Sequence, residues 1–529
     1  VPRGVPSGAI AIAHLVVLPI LLLLTYLLTA SKTLINDGES WLNTIHTADP
    51  TELYWTDAAH FLQIPFTRQL TDLLHAIGIG VDYRTVFLTI SLVGTLAAAV
   101  FLGLIVAALA QSAFAGLLTG VLFGTSLHAW LQWNGELYGL ALGFLAAALF
   151  AAVRGHSAIA CVLWALAVLS HADTALATPA FLVVFWRDAP ADKPRWQRAL
   201  TAIARCVMAG GLFFVFLFAY GGLMGAWTSF GEFSGWLERA YGLRLRTIVE
   251  PHPIRALRGL VTAYSAAGHV VGEILTGRSP SLVGTFAFTA LLAAVVLAAT
   301  AAFAVRALRC RPVAAVAAGL ILLVHVGFNW WLWPTIELYH GVALLGVVAL
   351  VGCGAAMWSR ELPGRRLAVA GYLAACVVLN LTVSVLPVQA YGRDLERAEA
   401  VFRHLNDTAG GRLVVMTCTV NTALRRSGAR GLEIRRVWDA DERVVQSALV
   451  SRLRAAQAAG DAVYALGREC MPWEWRVDVP RTNLAVDRLL ADDFTWVQTR
   501  ALRLPTNPGV SQTNPLGWRT ADLYELRPR

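Results

Sequence analysis

The sequence predicts a polytopic α-helical membrane protein of about eleven transmembrane helices followed by a C-terminal extracytoplasmic α/β domain. Three observations carry that reading. The 529 residues are 57% hydrophobic and only 15% charged, with a mean hydropathy of +0.58, whereas a soluble domain holds roughly a quarter charged residues. Apolar runs near the ~20 residues that a bilayer requires recur through the first three quarters of the chain. From about Tyr391 the composition turns soluble.

The apolar runs lie near 10–30, 86–109, 113–131, 138–153, 157–170, 174–186, 201–224, 281–305, 313–329, 338–358 and 367–387. Val1-Pro2-Arg3-Gly4 reads as the remnant of an engineered protease site, so the membrane module runs over 5–390 and the soluble domain over 391–529. Charge sets the orientation. With the N-terminus inside, alternate loops carry Arg154, then Arg187, Lys193, Arg195 and Arg198, then Arg306, Arg309 and Arg311, then Arg360, Arg365 and Arg366. Short basic loops belong on the cytoplasmic side. The first loop (31–85), the turns at 132–136, 170–173 and 329–340, the loop 225–280 and the tail then fall outside. This places the protein in the plasma (inner) membrane.

In the tail, RLVVMTC, DAVYALG, FTWVQTRALRL and DLYELRP read as strands, while ERVVQSALVSRLRAAQAAG reads as an amphipathic helix. No Gly-rich phosphate loop appears there, which argues against a nucleotide site. The net charge of +9 fits basic loops and contact with the lipid bilayer rather than nucleic acid, for which no recognition motif is present. Among the seven cysteines, Cys161, Cys206, Cys353, Cys376 and Cys310 sit in or at apolar runs as packing residues. Cys418 and Cys470 are the pair in the hydrophilic tail, free to form a disulfide outside the membrane or to remain thiols.

Candidate chemistry gathers on the outer side. Asp37 and Glu39 stand in Asn36-Asp37-Gly38-Glu39, a few residues past the first span. Acids at a membrane boundary are costly unless solvated or used, and a carboxylate beside apolar surface is a general base toward a hydroxyl. His60 opens HFLQIPF, where a lone histidine among aromatics is ordinarily a packing residue. Glu136 lies in WNGELY, where it can serve a helix N-terminus or a ligand. His171 and Asp173 lie in LSHAD, with helix capping the simpler role for Asp173. Glu337, Tyr339 and His340 follow NWWLWPT, a stretch rich in the tryptophans of a membrane belt. In the loop 225–280, Arg244, Arg246 and Arg255 belong to an amphipathic stretch that either rests on headgroups or binds a lipid phosphate. No ligand spacing demands a metal, although acids and histidines on one face would accept a divalent ion. Individually these signals are weak; their joint placement on one face suggests a site.

At these residues the sequence resembles the GT-C glycosyltransferases, and within them the branch of the plexin-type-receptor O-mannosyltransferase and its uncharacterised bacterial relatives. The resemblance runs in order over about residues 10 to 190. Asp37-Gly38-Glu39-Ser40-Trp41 is similar to that branch's acidic motif after the first helix. His60 through Pro65 keeps the terminal His and Pro of its second motif. Glu136-Leu137-Tyr138-Gly139-Leu140 and Ser170-His171-Ala172-Asp173 are similar to the third and fourth. The acid spacing differs: aligning Glu39 puts Asn36, not Asp37, at the family's Asp. The resemblance implies transfer of one sugar from a polyprenyl-phosphate donor to a hydroxyl of a protein, lipid or glycan acceptor, with inversion. Asp37 is then the base and Glu39 the second choice. His60, Glu136, His171, Asp173, Tyr339 and His340 bind substrate, and Arg244, Arg246 or Arg255 meets the leaving phosphate.

Two other functions compete. A lipid-linked oligosaccharide ligase or polymerase would use the same face with a roomier cavity. A lipid or solute transporter would place ionisable groups in mid-membrane and show paired helix interruptions, which this sequence lacks.

Overall fold

A computed structural model of the chain describes residues 13–30, 41–42, 44–45, 61–133, 137–244, 253–275, 283–310, 312–331, 340–360, 363–417, 422–433, 442–470, 484–502 and 521–529. It divides into two compact units, with the main division between Leu381 and Thr382.

The first unit is helical. Its elements are α1 (Leu18–Thr29), α2 (Gln63–Ala76), α3 (Tyr83–Ala110), α4 (Ala113–Gly124), α5 (Leu127–Trp133), α6 (Tyr138–Val153) and α7 (Ser157–Ser170). A 3₁₀ turn over Ala172–Ala177 leads to α8 (Thr178–Asp188) and α9 (Arg195–Leu223). Then come α10 (Phe230–Arg244), α11 (Pro253–Tyr264), α12 (Ala267–Leu275), α13 (Val283–Cys310), α14 (Pro312–Trp331), α15 (Gly341–Ser359) and α16 (Pro363–Asn380).

The described residues of each apolar run are helical, and among them length supports fewer spans than the expected eleven or so. Among the described residues five helical segments are long and apolar enough to cross a membrane, and six if α4 and α5 count as one span bent by 58°. Shorter apolar helices are also present: α6, at 16 residues, rises about 24 Å, less than a hydrocarbon core of about 30 Å. Run length counts apolar residues and does not register where a helix breaks.

Three local choices shape the bundle. Asp82 caps α3 by accepting from the Thr85 N–H at 2.6 Å, and Ser112 caps α4 through the Ala115 N–H at 3.2 Å. Small residues let α3 and α6 touch: Gly94, Gly139 and Gly143 lie backbone to backbone, and a Cβ on Gly143 would stand 2.7 Å from the Gly94 carbonyl oxygen. Finally, the break between α4 and α5 frees carbonyls that need partners inside the membrane. Tyr26 donates its hydroxyl to Gly124 O at 2.6 Å, and Asn380 donates from Nδ2 to Thr125 O at 2.8 Å. The same Asn380 accepts at Oδ1 from the Ala266 N–H at 2.8 Å, which lies at the break between α11 and α12. One amide thus closes two interrupted helices.

The stretch containing Trp236 departs from a headgroup-facing helix. Trp236 is 1% exposed, packed with Phe61, Phe213, Leu217 and Phe233. Its ring lies 5.2 Å from Phe61 and stacks on Phe233.

The second unit holds α17 (Leu386–Thr408), α18 (Glu442–Ala458) and strands β1 (Leu413–Thr417), β2 (Arg430–Glu433), β3 (Ala462–Leu466), β6 (Phe494–Leu502) and β7 (Ala521–Pro528), with a two-residue pair β4 (Glu469–Cys470) and β5 (Leu484–Ala485). The five-stranded sheet runs β2-β1-β3-β7-β6. β1 pairs in parallel with β2 and β3, while β7 is antiparallel to β3 and β6. β1 is buried along its whole length and reads Leu413-Val414-Val415-Met416 before Thr417, an apolar run rather than an alternation. Leu395, Ala398 and Phe402 from α17 cover one set of core residues with Leu413 and Val415, and Leu449 and Leu453 from α18 cover another with Val414 and Met416. Cys418 and the side chain of Cys470 lie outside the described residues.

Candidate functional site

The polar centre of the first unit is built where α5, α6, the 3₁₀ turn and α15 begin or end. α7 terminates at Ser170, and His171 takes an extended backbone that ends the helix. Its Nδ1 accepts from the Asp173 N–H at 3.2 Å. That role puts the proton of the neutral ring on Nε2, an assignment from the hydrogen-bond pattern. His171, not Asp173, is therefore the cap of the following turn, which corrects the capping role open to Asp173.

Freed from capping, the Asp173 carboxylate turns to Tyr138. The Tyr138 hydroxyl donates to Asp173 Oδ2 at 2.9 Å, and its ring stacks on the His171 imidazole at 3.7 Å between centroids. Asp173 Oδ2 also stands 3.8 Å from His171 Nδ1. Thr174 fixes the turn by donating to His171 O at 2.9 Å, and Trp164 donates to Thr174 O at 3.2 Å. His171 is 1% and the Asp173 side chain 14% exposed, so the carboxylate is the more accessible of the two.

Tyr138 also joins this group to α5. Its ring meets His128 edge-on at 5.8 Å, and its backbone N–H donates to Gln132 Oε1 at 2.7 Å. Gln132 Nε2 lies 3.3 Å from His128 Nε2, the two being one helical turn apart on α5. Across from them, Gly341 opens α15 so close that an added Cβ would stand 2.6 Å from His128 Nε2. Its neighbour His340 is buried and meets His325 of α14 at 6.2 Å between rings.

α5 also brings in the end of α1. Trp130 Nε1 donates to Thr29 O at 3.2 Å and Trp133 Nε1 to Tyr26 O at 2.9 Å. The end of α1 is thus tied to the indoles of Trp130 and Trp133 on α5. Asp37 follows Ala30 by seven residues, a reach of at most about 25 Å.

Of the residues expected at the site, His171 and Asp173 come together at Tyr138, whose ring meets His128, while His340 meets His325 and its neighbour Gly341 lies against His128. Asp37, Glu39, His60, Glu136, Tyr339 and Arg246 lie outside the described residues. Arg244 ends α10 and Arg255 lies in the first turn of α11, with side chains likewise outside. α11 itself packs on α5, α14 and α15, so its backbone borders the polar centre. Among the described residues no group of three or more His, Cys, Asp and Glu could hold a metal.

Tyr138, His128, Gln132 and His325 join the site without having been singled out. The one sequence signal for His128 and Gln132 is their spacing of four at the end of the apolar run 113–131, and nothing in the sequence shows the helix break that sets them on their own short helix.

No protein-family model matches the chain, and no curated protein matches it either. Among solved structures it is similar to ArnT from Cupriavidus metallidurans in the apo state, with TM-score 0.48 and 11% identity over 97% of this chain and 98% of that one. Against the same protein bound to undecaprenyl phosphate the TM-score is 0.46, at 12% identity over 97% and 98%. The oligosaccharyltransferase of Archaeoglobus fulgidus in the apo form gives 0.45 at 9% identity, over 92% of this chain and 80% of that one. Similarity at this level leaves both fold and chemistry to be argued from the residues themselves.

Proposed function

We propose that the chain is a membrane glycosyltransferase that moves a monosaccharide from a polyprenyl phosphate to an acceptor hydroxyl with inversion. The observation that carries the reading is the Tyr138–His171–Asp173 group, a buried polar centre with a partly accessible carboxylate. Asp37 stands seven residues past Ala30, and the end of α1 is tied to α5, whose His128 meets the Tyr138 ring. Two of the four motifs that resemble the GT-C branch supply it, Tyr138 from the third and His171 and Asp173 from the fourth.

Asp37 acts as the base, with Glu39 the alternative. Its carboxylate takes the hydroxyl proton as the acceptor oxygen forms a bond to the anomeric carbon. The bond from that carbon to the phosphate oxygen breaks on the opposite face, and the electron pair leaves with the phosphate, which gives inversion. Arg244, Arg246 or Arg255 stabilises the charge that gathers on the phosphate. Asp173, held in place by Tyr138, accepts from the sugar hydroxyls, an orienting task suited to a fixed and partly accessible carboxylate. No step requires a metal, and a divalent ion at the acidic loop would act on the same phosphate.

The test is turnover of a panel of polyprenyl-phosphate monosaccharides by the detergent-purified protein. Release or transfer of sugar by the unmodified chain, abolished in Asp37→Asn with expression intact, is the expected result. Full activity of Asp37→Asn moves the base to Glu39, and Glu39→Gln then decides. Absence of both turnover and binding across the panel rejects this donor class.

A further inference from the structure

The corner between α9 and α10 is built from packed rings. α9 ends in a tight turn: Gly225 takes a φ of 73°, and the Ala226 N–H reaches back to Gly221 O at 2.8 Å. Trp227 then folds onto α9. Its Nε1 donates to Phe218 O at 2.8 Å, and its indole lies so close to Gly221 that an added Cβ would stand 2.0 Å from Cζ2. Glycine is what admits that seat. α10 follows, with Phe233 stacked on Trp236. The Trp227 ring lies 4.9 Å from Phe233 and 5.1 Å from Trp236. The direction in which α10 leaves α9 is therefore fixed by side-chain packing.

This corner grips α2 at two points. Just before α2 begins, Phe61 meets Trp236 edge-on at 5.2 Å, and both residues are 1% exposed. Eight residues on, the Tyr220 hydroxyl donates to Gln69 Oε1 at 2.8 Å, while Gln69 Nε2 donates to Met224 Sδ. A third tie comes from α3, where Gln63 Nε2 donates to Ser91 Oγ at 2.7 Å. The Ser91 carbonyl in turn abuts Gly139, whose added Cβ would stand 2.4 Å from it, and Gly139 follows Tyr138. α2 is thus held between the α9–α10 corner and the helix that borders the Tyr138 group. His60 is joined to Phe61 by one peptide bond, with about 3.8 Å between their Cα atoms. At the far end of α10 stands Arg244, eight residues past Trp236, or about 12 Å along the helix axis.

We propose that Trp236 is a positioning residue for sugar transfer: seated on Phe61, it fixes the start of the His60 motif, and through α10 it fixes the spacing between that motif and the arginine end of the helix. It acts through Phe61 and α10 rather than on substrate. The inference rests on the reading of the chain as a glycosyltransferase that engages its donor with His60 and the loop arginines. A contact held in place before the donor arrives does not have to be ordered when it binds, so loss of the hold appears as weaker donor engagement.

The experiment is donor kinetics of the full chain in detergent, with the polyprenyl-phosphate monosaccharide that the parent turns over, for Trp236→Leu, Trp236→Phe and Tyr220→Phe. Trp236→Leu should raise the donor KM about tenfold, with kcat changed by less than about twofold, the pattern of a contact used equally in ground and transition states. Trp236→Phe keeps an aromatic edge for Phe61 and should recover most of the loss. A purely structural role moves the other constant, because fewer folded molecules lower kcat at unchanged KM; that pattern overturns the proposal. Tyr220→Phe removes only the hydroxyl tie to Gln69 and should raise KM about threefold. It decides the matter if Trp236→Leu does not fold, and an unchanged KM there overturns the proposal. A parent that turns over no donor refutes the glycosyltransferase reading and this proposal with it. A parent that turns over, with KM unmoved in the variants, refutes the positioning role alone.

Discussion

Tyr138 and Asp173 are joined by a 2.9 Å hydrogen bond between side chains 35 positions apart in sequence. The bond spans from the first residue of α6 to the turn after α7. It directs the carboxylate away from its own turn, where His171 already supplies the cap. A site carboxylate needs such a partner, because an acid set among apolar helices otherwise takes whatever local hydrogen bond is nearest. Tyr138→Phe keeps the stacking surface against His171 and removes only the hydroxyl. Sugar transfer should fall about tenfold to a hundredfold in kcat/KM, the equivalent of roughly 1.4–2.7 kcal/mol, with little change in thermal unfolding. Transfer at the unmodified rate would remove Asp173 from the orienting role.

The contact of α3 with α6 rests on glycines, and this too can be measured. Gly143→Ala places a methyl 2.7 Å from the Gly94 carbonyl oxygen, a backbone atom that cannot swing aside. The helices must separate, at a cost of about 1–3 kcal/mol. Gly371→Ala is the internal control, since its added Cβ meets no atom within 4 Å and a helical Ala is favoured by roughly 0.5–1 kcal/mol. Thermal unfolding in detergent should therefore fall for the first variant and hold or rise for the second. Equal midpoints would show that the glycine contact is slack.

How far the sequence disclosed this arrangement depends on residue type. His171 and Asp173 stood out because ionisable groups at the end of an apolar run are conspicuous, and the structure joins them through Tyr138. Tyr138 itself was easy to pass over, because an aromatic at a membrane boundary ordinarily reads as a belt residue. His128 was hidden by a helix break. Residues 113–131 form one apolar run, and no Pro or Gly-Pro pair announces that the helix ends at Gly124 and turns by 58°. The break exists because Tyr26 and Asn380 satisfy its carbonyls, and both partners are distant in sequence. Trp236 is a converse case: it shares a helix with Arg244, from the stretch that could rest on headgroups, while the aromatic neighbours that bury it include Phe213 of α9 and Phe61.

Asn380 offers the sharpest stability test. Replacing it with Leu preserves approximate volume and removes both partners at once. The Thr125 carbonyl and the Ala266 N–H would then face a water-poor interior unpaired. At about 1–3 kcal/mol for each buried group left unsatisfied, the loss should reach about 2–5 kcal/mol and should exceed that of Gly143→Ala. The expected readout is a lower unfolding midpoint together with faster hydrogen exchange in the peptides covering 124–130 and 264–270. An unfolding midpoint equal to the parent would mean that other groups satisfy both breaks.

Glu232 supplies a pH-dependent test away from the membrane spans. It sits in the first turn of α10, where its Oε2 accepts from the Thr228 N–H at 2.7 Å and from the Thr228 hydroxyl at 3.1 Å. Its own N–H donates to Ser229 Oγ at 3.3 Å, so the segment forms a reciprocal cap. The Thr228 backbone hydrogen bond, and after it the Thr228 hydroxyl, holds the Glu232 carboxyl below the usual glutamate range. A group whose pKa is lower folded than unfolded stabilises the folded state above its unfolded pKa, about 4.3 for glutamate. That contribution is lost as pH falls through the depressed folded value, when the carboxylate takes up a proton and ceases to be a charged acceptor. Hydrogen exchange of the peptide covering 228–237, corrected for intrinsic rate, should therefore show protection that is steady near neutrality and declines below about pH 4. Glu232→Gln keeps an acceptor oxygen without a titrating group, so its protection should be weaker at neutral pH and flat across the same range. A variant curve that bends at the same pH as the parent would assign the transition to another group and remove Glu232 from the cap.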